Sequence, residues 1–94
     1  MIAMVDIRRI EANEAQAVLA LWNEAADNSL TPEGRARILR YLEVCASHSE
    51  HFCLVAQTDG QLIGFVIAHT SSHPVFPGLG GEIDELYVLS LIHI

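Results

Sequence analysis

Apolar and polar residues alternate in "VDIRRI" (Val5 to Ile10), the period of a short strand with Val5, Ile7 and, at its end, Ile10 turned inward. The period then lengthens. Asn13 opens a helix, Gln16 completes a capping box, and Val18, Leu21, Trp22 and Ala25 recur at helical spacing as one apolar stripe. "ADNSL" (Ala26 to Leu30) interrupts that stripe with turn formers. Thr31-Pro32-Glu33 restarts it, because Thr caps well and Pro is tolerated at the first helical position. The second helix buries Ile38, Leu39, Leu42, Cys45 and Ala46, and leaves Arg35, Arg37 and Glu43 in solvent.

Beyond the helices the pattern is that of strands. "HFCLVAQT" (His51 to Thr58) is β-branched and aromatic, and Asp59-Gly60 after it favours a type I′ hairpin turn. The returning strand, "QLIGFVIAHT" (Gln61 to Thr70), is apolar on both faces, so it is expected to lie centrally with something covering each side. Gly64 within it predicts a bulge or a close backbone approach. "SSHPVFPGLGG" (Ser71 to Gly81) reads as a loop and "EIDELYVL" (Glu82 to Leu89) as a fourth strand. The order β-α-α-β-β-β predicts one α+β domain with two helices packed on a largely antiparallel sheet.

Composition narrows the picture. Of 94 residues, 51% are hydrophobic and 18% charged, which is globular and not disordered. No run approaches the roughly 20 apolar residues of a membrane helix. The N-terminus has neither the basic flank nor the long apolar core of a signal peptide, so the expected location is cytoplasmic, with no membrane partner. Twelve acids face five arginines and no lysine, a net charge of −7. Such a surface repels phosphate backbones, which argues against nucleic acid, and attracts cationic or amine-bearing small molecules.

Several clusters are candidates for chemistry. Cys45, His48, His51 and Cys53 have the ligand types of a metal site, but their spacing matches no zinc ribbon or finger. No metal is expected, and both cysteines read as buried thiols. Gly78-Leu79-Gly80-Gly81 opens a strand where a phosphate loop opens a helix, so it reads as a flexible strand entry. His69 and His73 flank the end of a strand, where either can line a cleft. Glu82, Asp84 and Glu85 carry the most information. Strict alternation sends Glu82, Asp84, Leu86 and Val88 one way and Ile83, Glu85, Tyr87 and Leu89 the other. An acid on each face of a strand is costly unless it reaches a cleft or solvent. A solvated, inert strand end is the plain alternative.

Two stretches, "DGQLIGFVIA" (Asp59 to Ala68) and "GEIDELYVL" (Gly81 to Leu89), together with the order of elements, resemble the Gcn5-related N-acetyltransferase superfamily. The resemblance covers Val5 to Leu89 and implies the N-terminal half of that fold. It implies transfer of an acetyl group from acetyl-coenzyme A to a small-molecule or peptide amine. Glu85 is implied first, and Glu82 second, as the acid that takes the amine's proton; the family often has a bulge here, so alternation does not choose between them. Val88 and Leu89 fall where the family's backbone meets the cofactor's pantetheine arm. Asp27, Asn28, Ser29 and Leu30 fall on the acceptor side.

The family's signature departs at one point. After Val88 and Leu89 comes Ser90 where Pro is expected, and no glycine-rich pyrophosphate loop follows. The chain is therefore expected to stop short of the cofactor loop, to be inactive alone, and to self-associate through an open sheet edge. Ser90 to Ile94 resembles translated adapter sequence and is expected to be a non-native tail. The alternative is a small non-catalytic α+β binding module that uses its sheet edge or the 71–81 loop.

Overall fold

A computed structural model describes residues 4–72 and 79–89. The tail expected at 90–94 and the centre of the 71–81 loop, His73 included, lie outside the described residues. Strands β1 (Asp6–Arg9), β2 (His51–Thr58), β3 (Gln61–Ser72) and β4 (Leu79–Val88) form one antiparallel sheet in the order β1-β2-β3-β4. Helices α1 (Ala15–Ala25) and α2 (Pro32–Cys45) pack on one of its faces. The predicted α+β class and element order are those observed. The third and fourth strands run further into the loop than expected, since Ser71 pairs with Gly80 and Thr70 with Gly81. Those two glycines are therefore paired strand residues.

The core is the layer between the helices and the sheet. Val18, Leu42, Cys45, Cys53 and Val55 are fully excluded from solvent, with Ile10, Phe65 and Ile67 beside them. Trp22, Ile38, Leu39 and Ala46 pack on this cluster as their spacing predicts. Ala25 is exposed, and Ala15 and Leu19 take the places on the α1 stripe that it was expected to share.

The first strand corrects the expectation most clearly. Ile7 is 70% exposed and Val5 is also in solvent, while Ile10 alone enters the core. Period-2 geometry puts Arg8 on the helix side with Ile10. There its guanidinium makes a bidentate pair with Glu14, both contacts at 2.7 Å, and donates to Gln57 Oε1 at 2.9 Å. The same glutamate relocates the first helix cap. The chain enters through a 3-10 turn at Ala12–Glu14 with Glu11 and Glu14 as the capping box, Glu14 Oε1 accepting the Glu11 N–H at 2.9 Å. The Asn13/Gln16 box does not form, because a Glu-x-x-Glu pair two residues earlier does the same work. Arg8 and Glu11 hold the Glu14 carboxyl below its ordinary range, chiefly through the Arg8 hydrogen bond.

Local signals held elsewhere. Thr31 Oγ1 accepts the Gly34 N–H at 3.0 Å, with Pro32 at the first position of α2. Asp59 and Gly60 both have positive φ, as a type I′ turn requires. Gly64 sits beside a bulge in the β2–β3 ladder, and a Cβ there would stand 2.7 Å from the Tyr87 carbonyl oxygen. That atom is backbone held in the sheet and cannot swing aside. Gly64→Ala is accordingly expected to cost about 1–3 kcal/mol by overpacking. Gly81→Ala, whose Cβ would meet ordinary van der Waals contact at 3.7 Å, is expected to stay within about 0.5 kcal/mol. Urea denaturation midpoints compare the two.

β3 lies between β2 and β4, but among the described residues only its helix-side face is covered. Leu54, Val66 and Leu86 align across the opposite face, with Ile83 and Val88 close by. Ile83 is 68% exposed and Leu86 65%.

Candidate active site

The chemistry of the fourth strand turns on one irregular residue. Ile67 pairs with Glu85, yet the next pair is Ala68 with Ile83, so Asp84 has no partner and forms a bulge. An extra residue shifts the side-chain period by one. Asp84 and Glu85, which strict alternation separates, consequently share the helix-side face, while Leu86 and Val88 turn to the other. The alternating assignment for this strand is thus overturned by the bulge.

The two carboxylates line a cleft of about 550 Å³ between β4 and the helices, with Trp22, Arg37, Ile38, Tyr41 and Ile67 as its other walls. Trp22 is braced on Phe65, ring centroids 5.5 Å apart, and Phe65 in turn contacts Tyr87 at 6.2 Å. Burial, with Cys45 adding to it, pushes the Tyr41 phenol up to about 12, so it remains a neutral hydroxyl at physiological pH. This hydroxyl lies 3.2 Å from His51 Nδ1. A wider hollow of about 700 Å³ lies between α1 and the β2–β3 turn. Its charged lining is Arg8 paired with Glu14, with the carboxylates of Glu11 and Glu24 beside them, and the Arg8–Glu14 pair belongs to the entry of the first helix.

At the rim of the cleft, His69 Nδ1 is 2.8 Å from Asp84 Oδ2 and its Nε2 is 3.4 Å from Glu82 Oε2. Asp84 raises the imidazole's pKa, first by its hydrogen bond and then by its charge, with Glu82 assisting. Glu82 therefore sits outside the cleft against His69, whereas Glu85 is inside it. The sequence singled out Glu85 and Glu82 but gave no role to Asp84, Tyr41 or Trp22. The signal for Asp84 was the acid pair in "EIDEL", which acquires meaning only once the bulge is known.

Of the two residues expected at the cofactor's backbone, Leu89 donates its N–H to the Ile63 carbonyl at 2.8 Å. Alternation in an antiparallel ladder then turns the Val88 N–H toward the free edge of β4. The α1–α2 turn does not line the cleft. Asp27 and Asn28 take left-handed conformations, φ 54° and 59°, and Asn28 is tied to Asn23 through both backbone and side chain. Ser29 bonds back to the Ala26 carbonyl and Leu30 packs on the core.

Cys45 and Cys53 are buried free thiols, and burial pushes both up, Cys53 to about 12. His48 Nδ1 accepts the backbone N–H groups of Glu50 and His51, at 3.0 and 3.1 Å. Among the described residues no group of three or more His, Cys, Asp or Glu side chains is arranged to hold a metal ion, and no helix is long and apolar enough to cross a membrane.

No family model matches the sequence, and no curated protein matches it. Solved structures do match the fold. An aminoglycoside N-acetyltransferase in complex with CoA aligns with a TM-score of 0.74 at 15% identity, over 96% of this chain and 59% of that one. A ribosomal-protein-alanine N-acetyltransferase from Brucella melitensis biovar Abortus 2308 aligns at 0.68 and 26% identity, over 93% and 58%. A predicted acetyltransferase from Clostridium acetobutylicum, solved with acetyl-CoA, aligns at 0.69 and 15%, over 93% and 61%. The chain thus spans about three-fifths of the length of these structures. Its two helices and four antiparallel strands are a partial Gcn5-related N-acetyltransferase fold.

Proposed function

We propose that this chain is the N-terminal part, through residue 89, of a domain that acetylates an amine at the expense of acetyl-coenzyme A. The observation that carries the reading is the β4 bulge. It turns two carboxylates into one aromatic-walled cleft, on the strand whose free edge presents the Val88 N–H.

The residues have complementary tasks. An amine is protonated near neutral pH and must lose a proton before it attacks. Glu85, directly or through a water, accepts that proton. The outward N–H of Val88 suits a carbonyl laid along the edge and stabilises negative charge developing on it. Acetyl-coenzyme A, when bound, supplies the activated acetyl group as a thioester. The edge of β4 fits its amide-bearing arm, but β4 is the last described element, and no described helix follows it to receive the pyrophosphate. The acidic cleft and overall charge favour a cationic small-molecule acceptor. The aminoglycoside N-acetyltransferase among the structural neighbours supports that choice.

Isothermal titration of the 94-residue chain with acetyl-CoA tests the division of labour. Weak or undetectable binding is the expected result, and micromolar binding contradicts it. The apolar face and the β4 edge, both without a cover among the described residues, also favour self-association of this chain, visible as a concentration-dependent mass in light scattering. The same exposed surface is what a non-catalytic binding module would use. A module is favoured if the chain proves monomeric and melts cooperatively.

A further inference from the structure

Beside the cleft, in contact with its walls Tyr41 and Asp84, runs a row of imidazoles. His69 of β3 stacks on His51 of β2 with ring centroids 5.6 Å apart, and His51 meets His48 edge-on at 5.1 Å. Tyr41, a wall of the cleft, closes on the same His51 from α2. On the other side both nitrogens of His69 face carboxylates, Asp84 at 2.8 Å and Glu82 at 3.4 Å. Asp84 is therefore shared: one oxygen is held by the imidazole, and the side chain lines the cleft.

A bulge residue lacks the cross-strand neighbour that orients an ordinary strand side chain. Without His69 nothing among the described residues would hold the Asp84 carboxylate in the cleft. We propose that His69 is a positioning residue that clamps Asp84 in the cleft and, by gaining or losing its proton, sets the negative charge offered to an incoming ammonium group. This rests on the reading that an amine enters this cleft.

The sign follows from the ring's two states. As an imidazolium, His69 donates from both nitrogens and offsets part of the charge on Asp84 and Glu82. As the neutral ring it keeps the Nδ1–H bond to Asp84, so the clamp persists, but one unit of negative charge at the rim is no longer compensated. Amine binding tightens as pH rises through the His69 pKa. Asp84 displaces that transition upward from the ordinary histidine range. The groups that face His69 among the described residues are Asp84 and Glu82 from β4 and His51 from β2; Tyr41 and His48 reach it through His51. Tyr41 stays neutral across this range and Arg37, in the cleft wall, stays charged.

Benzylamine, which remains protonated over the range, is a suitable probe for the 94-residue chain, with binding read from amide shifts in NMR. The wild-type chain is expected to bind it roughly three- to tenfold more tightly near pH 8 than near pH 5.5, the effect of one partly screened charge. His69→Gln, which keeps a donor but no titration, is expected to bind with nearly the same affinity at both pH values. Asp84→Asn is expected to weaken binding at both. Absence of binding, pH-independent binding by the wild type, or an unchanged pH dependence in His69→Gln overturns the proposal. The wild-type imidazole titration supplies a check that needs no variant: the His69 midpoint must coincide with the binding transition, and a separation of the two overturns the proposal. Acetyl transfer is read separately with acetyl-CoA, so failure here leaves that activity to stand or fall on its own assay.

Discussion

Glu85→Gln is expected to lower kcat/KM for acetyl transfer by about a hundred- to ten-thousandfold, the usual loss on removing a general base. The substitution preserves shape and a hydrogen-bonding end but cannot accept the amine's proton. It leaves the β3–β4 ladder intact, since Glu85 pairs with Ile67 through backbone and is exposed toward the cleft. Acetyl-CoA affinity is expected to be unchanged, because the Val88 N–H and the free strand edge do not involve this side chain. Glu82→Gln supplies the contrast. Its carboxylate lies outside the cleft beside His69, so roughly a tenfold loss or less is expected. Steady-state kinetics at saturating acetyl-CoA, on a protein in which this chain is continued by a cofactor-binding segment, separates the two, and equal losses in both variants would remove Glu85 from its assigned role.

Leu42→Ala is expected to cost about 2–5 kcal/mol, a transfer loss plus a cavity that its neighbours fill only partly. Leu42 is fully buried on α2, in the cluster that joins both helices to β2 and β3. A domain of this size has about 5–15 kcal/mol in total, so the variant loses much of its reserve. The reading is a lower urea midpoint at unchanged slope. Leu42→Met, nearly the same volume, is expected to cost less than about 1.5 kcal/mol. Tyr41, adjacent in sequence, is part of the cleft wall, so loosening α2 is expected to loosen the surface on which the proposed acceptor would rest.

Much of the fold was legible because it rests on local chemistry. Thr31-Pro32 starts a helix and Asp59-Gly60 turns a hairpin whatever surrounds them, and Gly64 marked a close approach that only a residue without Cβ allows. Two features depart from their sequence pattern for non-local reasons. Val5 and Ile7 are apolar and alternate properly, yet they face solvent, since the strand face that carries Ile10 into the core also carries Arg8 to Glu14. The acids of β4 stand out as a group in the sequence, but their common direction depends on a register shift against β3, which no period in β4 alone encodes. His69 and Asp84 are 15 positions apart, and only the β3–β4 pairing brings them to 2.8 Å. Elements were thus readable from spacing, whereas the geometry of the site depended on how two strands slip past one another.

Acetyl transfer itself tests the central claim most directly. Release of coenzyme A thiol from acetyl-CoA can be followed against a panel of cationic amines, using the protein in which this chain is continued by the cofactor-binding segment proposed to follow Leu89. The account predicts amine-dependent thiol release, with formation of the N-acetyl product, that is lost in Glu85→Gln. Thiol release with no amine dependence, or with every amine inert while acetyl-CoA binds, would contradict it.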